Sequence, residues 1–166
     1  TNIYIGKQSP SILRKIKKRL IKNKSNKIFP ETWMLIRKNN NYFYNDKKIR
    51  IKIKTKHIFS LGLLENLCMA IKIALDLKIK KKVIEKTIPK IILEGRIQYL
   101  NKGKIKKMAH KNEKIILDGA HSKKSAQNLA NYLNSIKGPK YGIWGMMKYK
   151  EHNIFINQFK NIFKKV

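Results

Sequence analysis

The chain has 166 residues, 42% of them hydrophobic, with 40 Lys and Arg against 9 Asp and Glu and a formal charge of +31. That hydrophobic fraction is enough for a real core, in one domain or in pieces of two. The single cysteine excludes a disulfide framework or a cysteine-built metal site, and no run of about 18 apolar residues offers a membrane span. The charge calls for a polyanion such as nucleic acid, or it reflects a coding bias toward Lys, Ile and Asn that fills tolerant surface positions. The basic residues are spread along the chain rather than gathered in one tract.

Taken in order, Ile3-Tyr4-Ile5 is a short strand ended by Gly6. Ser9 and Pro10 open a helix with Pro at its first position. Ile12, Leu13, Ile16 and Leu20 mark its apolar face, and Arg14, Lys15, Lys17, Lys18 and Arg19 surround it. That basic surface is a solvated face or one that lies on nucleic acid. Residues 28–54 read as antiparallel strands. Trp33–Ile36 is apolar, Tyr42-Phe43-Tyr44 aromatic, and Asn45-Asp46 supplies turn chemistry. Ile49, Ile51 and Ile53 alternate with Arg50, Lys52 and Lys54.

Gly62–Leu77 is the most apolar helix, with Leu63, Leu67, Ala70, Ala74 and Leu77 on one face and Leu64, Ile71 and Leu75 beside them. Cys68 within it reads as small core filler. Asn66 is its anomaly. A buried amide without partners costs about 1–3 kcal/mol, so Asn66 either satisfies a backbone group or faces a ligand. Residues 78–90 hold a further short helix with Val83, Ile84 and Ile88 on its apolar side, and Pro89 marks its end. In Glu94-Gly95-Arg96, an Arg held after a Gly can grip phosphate through its fork of donors. Gly103 is expected to turn a hairpin from Tyr99-Leu100 into the next strand.

Residues 114–133 read as a buried strand (Ile115, Ile116, Leu117), a turn at Gly119 and an amphipathic helix carrying Ala126, Leu129, Ala130 and Leu133. Ser122 is the expected helix cap. In a parallel sheet such a turn sits at the carboxyl end of its strand, where ligands bind. Asp118 and His121 are the polar side chains there. Asp118 either caps the turn or meets a ligand, and His121 is either a turn histidine or a supporting contact. A last strand is expected at Tyr141–Trp144, then a helix with Phe155, Phe159 and Ile162 inward.

Ile116-Leu117-Asp118-Gly119-Ala120-His121, followed by a helix, resembles the signature of the folylpolyglutamate synthase/dihydrofolate synthase family of the Mur ligase superfamily. Two flanking segments agree in order and spacing. Glu94-Gly95-Arg96-Ile97-Gln98 is similar to the family's Pro-Gly-Arg-x-Gln, with Glu in place of Pro. Gly142-Ile143-Trp144-Gly145-Met146-Met147, then Lys150-Glu151, is similar to its strand-Gly-Met…Lys-Asp element. The family also has an Asn in the helix matched by Gly62–Leu77, although its preceding Gly-x-His-Gln appears here as Gly62-Leu63-Leu64.

The resemblance implies an α/β fold in two partial lobes. Residues 1–93 would end a central ATPase domain, and 94–166 would begin a Rossmann-like C-terminal domain. It implies an ATP-dependent ligase that joins a folate or dihydropteroate to L-glutamate through an acyl phosphate, with ATP and Mg²⁺ as cofactors. Asn66 would contact the adenine–ribose side, Arg96 the phosphates and Asp118 the ribose or base, with His121 in support. The sequence contains no GxxxxGK[ST] phosphate loop, and the family's magnesium ligands match no position here. The chain is therefore expected to be a fragment, inert alone: a split subunit completed by a separate chain bearing the phosphate loop, or the product of a split or decaying gene. Thr1 in place of Met is expected either from a processed start or from a sequence that begins inside a longer product. A cytoplasmic location is expected, as a reducing cytosol fits the single cysteine, and no signal-peptide pattern is seen. The rival from another class is a basic nucleic-acid-binding protein, and non-specific retention of polyanions is expected on either reading.

Overall fold

A computed structural model describes residues 1–55, 58 and 60–165. The chain divides into two compact units: Thr1–Lys56 with Gly62–Ile91, and Ile92–Val166 with His57–Leu61. Helix and sheet are mixed along the chain.

In the first unit β1 (Asn2–Tyr4) pairs in parallel with β2 (Asn26–Ile28), and α1 (Pro10–Leu20) is the crossover between them. Parallel neighbours need such a crossover because a tight turn cannot join them. Ser9 caps α1 by accepting the Ile12 N–H at 3.5 Å, and Pro10 leads the helix. The expectation of antiparallel pairing from residue 28 onward is corrected at its start. Ile28 pairs in parallel with Tyr4, and a single 3-10 turn at Pro30–Thr32 separates it from the strands that follow.

Those strands form an antiparallel meander of β3 (Met34–Lys38), β4 (Asn41–Asn45) and β5 (Arg50–Ile53). Asn39 and Asn40 join the first pair with φ of 47° and 57°. A two-residue hairpin of matching twist needs positive φ at both positions, which Asn tolerates. Along β5 the alternation holds, with Ile51 and Ile53 buried and Arg50 and Lys52 exposed. Tyr44 and Ile51 are cross-strand partners, and both are 0% exposed.

α2 (Leu61–Asp76) buries Leu64, Leu67, Cys68 and Ile71, spaced i, i+3, i+4, i+7. The buried stripe is rotated from the expected face, since Ala70 and Leu77 are exposed. The helix stops at Asp76 and Lys78 turns left-handed at φ 64°, so Leu77 leaves the helical face. Cys68 is core filler as expected, and burial pushes its thiol up to about 12. α3 (Lys81–Thr87) buries Ile84 and packs against β5. A 3-10 turn at Ile88–Lys90 follows, while Val83, expected inward, is 51% exposed.

In the second unit β6 (Gln98–Tyr99) pairs antiparallel with β7 (Ile116–Leu117). Gly103 does not turn a hairpin. At φ 100° it precedes α4 (Lys104–Met108), and its carbonyl accepts the Lys107 N–H. The connection is too long for a tight turn, so it closes on a helical turn instead. Leu117 is half exposed, which corrects the expected fully buried strand. α5 (Lys123–Asn134) buries Ala126, Ala130 and Leu133 against α6 (His152–Ile156) and the 3-10 turn Asn157–Phe159. Trp144, Phe155, Phe159 and Phe163 follow one another in ring contact, the first pair stacked and the others tilted, with centroids 5.1–6.1 Å apart.

The expected strand at Tyr141–Trp144 reduces to one parallel bridge, Tyr141 with Lys165. The Gly142 N–H reaches the Lys165 carbonyl at 2.9 Å, but beyond it Ile143 is fully exposed. Among the described residues no further strand lies beside it to extend a ladder.

Candidate functional site

The second unit brings residues 93–98 against the turn that links β7 to α5. Asp118 directly follows β7, and each of its carboxylate oxygens accepts a backbone N–H. Oδ2 takes that of Ile97 and Oδ1 that of Ala120, both at 2.7 Å. The Gly119 N–H donates to the Gly95 carbonyl at 2.7 Å. The Gly95 N–H donates to Gln98 Oε1 at 2.8 Å, and the Arg96 N–H to the Leu93 carbonyl at 3.2 Å.

These ties hold an unusual backbone. Gly95 sits at φ 63°, which glycine adopts freely, and Ile97 at φ 49°. A β-branched residue in the left-handed region is a genuine outlier, worth about 1–3 kcal/mol of strain, and it persists only where its surroundings over-determine it. Ile97 is 2% exposed, so its buried side chain anchors the loop from below. Arg96 lies between the two left-handed residues. A Cβ added at Gly119 would meet the Gly95 carbonyl at 3.4 Å and Arg96 Nη1 at 3.9 Å, which places the guanidinium over the glycine of the turn. Arg96 is half-buried and makes no ion pair among the described residues. A guanidinium carried on a backbone held in this way is a ready partner for an anion.

α5 begins beside this turn. Ser122 Oγ accepts the Ser125 N–H at 3.3 Å, and Ser125 Oγ accepts the Ser122 N–H at 2.9 Å, a reciprocal capping box. The His121 N–H also reaches Ser125 Oγ at 3.1 Å. The exposed His121 ring donates from Nδ1 to the Gly119 carbonyl at 2.8 Å. A carbonyl only accepts, so the proton belongs on Nδ1 and Nε2 is left as the acceptor of the neutral ring. Further along, the Tyr99 and Tyr132 hydroxyls meet at 2.7 Å and tie β6 to α5.

Arg96, Asp118 and His121 thus share one junction. Asn66 lies on α2 in the first unit. It is exposed there, between the buried Leu64 and Leu67, which corrects the premise of a buried amide. Apolar content signals a buried helix, but only the stripe of i, i+3, i+4, i+7 contacts decides which face is inside. Ser125 is a part of the site that sequence reasoning did not single out, and Gln98 was named only as a motif position, without its role as acceptor of the Gly95 N–H. That role could have been noticed, because a Gly that must go left-handed leaves its N–H in need of an acceptor nearby.

An apolar cavity of about 210 Å³ in the first unit is lined by Leu67, Ile71, Ile84 and Ile88 among others. Its hydroxyl, on Thr87, is already donated to the Val83 carbonyl at 2.9 Å. A space with so little polar lining cannot orient a nucleotide. Among the described residues no cluster of His, Cys, Asp or Glu side chains is arranged to hold a metal, and no helix is long and apolar enough to cross a membrane.

No protein-family model matches the chain, and no curated protein matches it. Solved structures do. A folylpolyglutamate synthase from Thermotoga maritima matches over 97% of this chain and 38% of its own, with a TM-score of 0.72 and 19% identity. A folylpolyglutamate synthase from Mycobacterium tuberculosis, complexed with ADP and AMPPCP, matches over 98% of this chain and 37% of its own, with a TM-score of 0.82 and 12% identity. E. coli FolC in complex with DHPP and ADP matches over 98% and 37%, with a TM-score of 0.71 and 16% identity. At these identities the likeness is one of fold. This chain has the α/β fold of part of these enzymes and spans less than two-fifths of their length.

Proposed function

We propose that this chain is the nucleotide-side part of an ATP-dependent carboxylate–amine ligase that joins a folate or dihydropteroate to L-glutamate. The observation that carries the reading is that the segments similar to the family's signatures, 94–98 and 116–121, are far apart in sequence yet hydrogen-bonded to each other, on a fold shared with folylpolyglutamate synthases over nearly the whole chain. Residues 1–93 would close a central ATPase domain and 94–166 would open the C-terminal one. Arg96 would hold the polyphosphate of ATP. Asp118 would face the ribose or base, with His121 in support through Nε2. Asn66 would serve the adenine–ribose side, and its exposed amide on α2 is free of the burial that would otherwise occupy it.

The ATP fits the donor set, because Arg96 is a half-buried cation without a carboxylate partner among the described residues. ATP supplies the phosphoryl group that activates the substrate carboxylate as an acyl phosphate, which the glutamate amine then attacks. Holding the γ-phosphoryl for that transfer needs a glycine-rich cradle, a Lys and Mg²⁺. A separate chain bearing a phosphate loop would provide these. The cationic surface would retain polyanions without specificity, as charge spread along the chain does.

The test is phosphate release dependent on ATP and glutamate, with dihydropteroate as acceptor, measured with and without a phosphate-loop-bearing partner chain. Turnover is expected only with the partner. Arg96→Ala should then weaken the reaction by about 1.5–3 kcal/mol, the scale of a hydrogen-bonded charge contact. Turnover by the chain alone, or no turnover with any such partner, would overturn the proposal.

A further inference from the structure

We propose that Asp118 and Gln98 are positioning residues, which hold residues 95–97 so that Arg96 is presented over Gly119. The inference rests on Arg96 as the polyphosphate contact and deepens that reading. It assigns Asp118 a role through Arg96, beyond any contact with the nucleotide.

The geometry is specific. The Arg96 backbone is flanked on one side by Gly95 and on the other by Ile97, both left-handed. A chain left to itself does not keep isoleucine in that region. It is kept here by the Ile97 N–H on Asp118 Oδ2 and by the buried Ile97 side chain. On the other side, the Gly95 N–H is taken by Gln98 Oε1 and its carbonyl by the Gly119 N–H. Asp118 Oδ1 also takes the Ala120 N–H, so one carboxylate sets the loop and the turn beneath it in a single register. An ionised carboxylate suits this task because both of its oxygens only accept. Arginine has many rotamers, and fixing its backbone and its floor reduces the entropy lost when the guanidinium grips an anion.

The experiment uses the full chain, isotopically labelled for NMR, in about 0.3 M salt so that the diffuse cationic surface is screened. Two probes are titrated, ATP and inorganic tripolyphosphate, and the Arg96 Nε–H signal is followed together with amide hydrogen exchange. In Asp118→Ala, exchange at Ile97 and Ala120 should speed up while the amides of α5 keep their protection. Affinity at Arg96 should fall about tenfold for both probes. Asp118→Asn, which keeps a single acceptor oxygen, should restore part of both readouts. Gln98→Ala should give the same two-probe loss in milder form, and it carries the test if Asp118→Ala does not fold.

Loss of ATP affinity with tripolyphosphate unchanged would show a direct ribose or base contact instead, and it would overturn the positioning role. So would unaltered exchange at Ile97. If the wild-type chain binds neither probe at Arg96, the proposed function fails by itself. Positioning is then decided by whether an ordered Arg96 Nε–H in the wild type becomes mobile in Asp118→Ala.

Discussion

Two aspartates, one in each unit, do the same chemistry over very different spans. Asp46 accepts the N–H groups of Lys48 and Ile49 at 2.8 Å and the Tyr44 hydroxyl at 2.7 Å, all within its own hairpin. Asp118 accepts the Ala120 N–H nearby and the Ile97 N–H 21 residues away. The first is a turn aspartate whose bonds follow from local geometry. The second joins segments that only the folded chain brings together. Asp46 braces a hairpin that its apolar face already holds through Tyr44 and Ile51. Asp118 braces a loop with a left-handed isoleucine, where the polar ties carry more of the load.

The sharpest way to break this comparison is to remove the core under Asp46. Tyr44→Ala empties a fully buried ring site and deprives Asp46 of its hydroxyl, and it should destabilise the first unit by about 3–5 kcal/mol. The chain has two tryptophans, the buried Trp33 in the first unit and the more exposed Trp144 in the second. Urea unfolding of single-tryptophan variants therefore reads the units separately. The Trp33 transition should move to lower urea. An unmoved Trp33 transition would show that the meander does not depend on that ring.

Acid sharpens the contrast more gently. Burial alone would raise the Asp46 carboxyl, but the Tyr44 hydroxyl and the Lys48 and Ile49 N–H groups outweigh it and hold it below its ordinary 3.8. Asp76 is lowered too, since bonds from Lys72 and Tyr4 outweigh its burial. A carboxyl whose folded pKa is depressed contributes stability that is complete above the unfolded value and is lost as pH falls through the folded one. Melting followed by Trp33 should be flat from about pH 7 to 5 and should fall below about pH 4. Asp46→Asn should be less stable near neutrality and should flatten part of that fall. An identical acid response in the variant would remove Asp46 from the account.

The smallest effect concerns the cap of α5. Ser122→Ala removes one half of the capping box and should cost about 1 kcal/mol in the Trp144-reported transition. Loss of helical circular dichroism should be slight. The Ile97 N–H should stay protected, because its acceptor is Asp118 rather than the cap.

Local chemistry made much of the chain legible. Ser9-Pro10 and Ser122 start helices where cap preferences put them, and the β5 alternation sorts its faces, because both depend on neighbours in sequence. Resemblance placed Arg96 and Asp118 in one site, and the hydrogen bonds between their loops bring those segments together. Residue types alone could not show which face of the apolar α2 is buried, and so left Asn66 on the wrong side. Nor could they show that Gly103 precedes a helix, or that Tyr141–Trp144 pairs only at its first residue. Those outcomes depend on what lies opposite in space. The left-handed Ile97 is the clearest case. No local preference favours it, and it exists because a carboxylate distant in sequence takes its N–H while its side chain is sealed in the core.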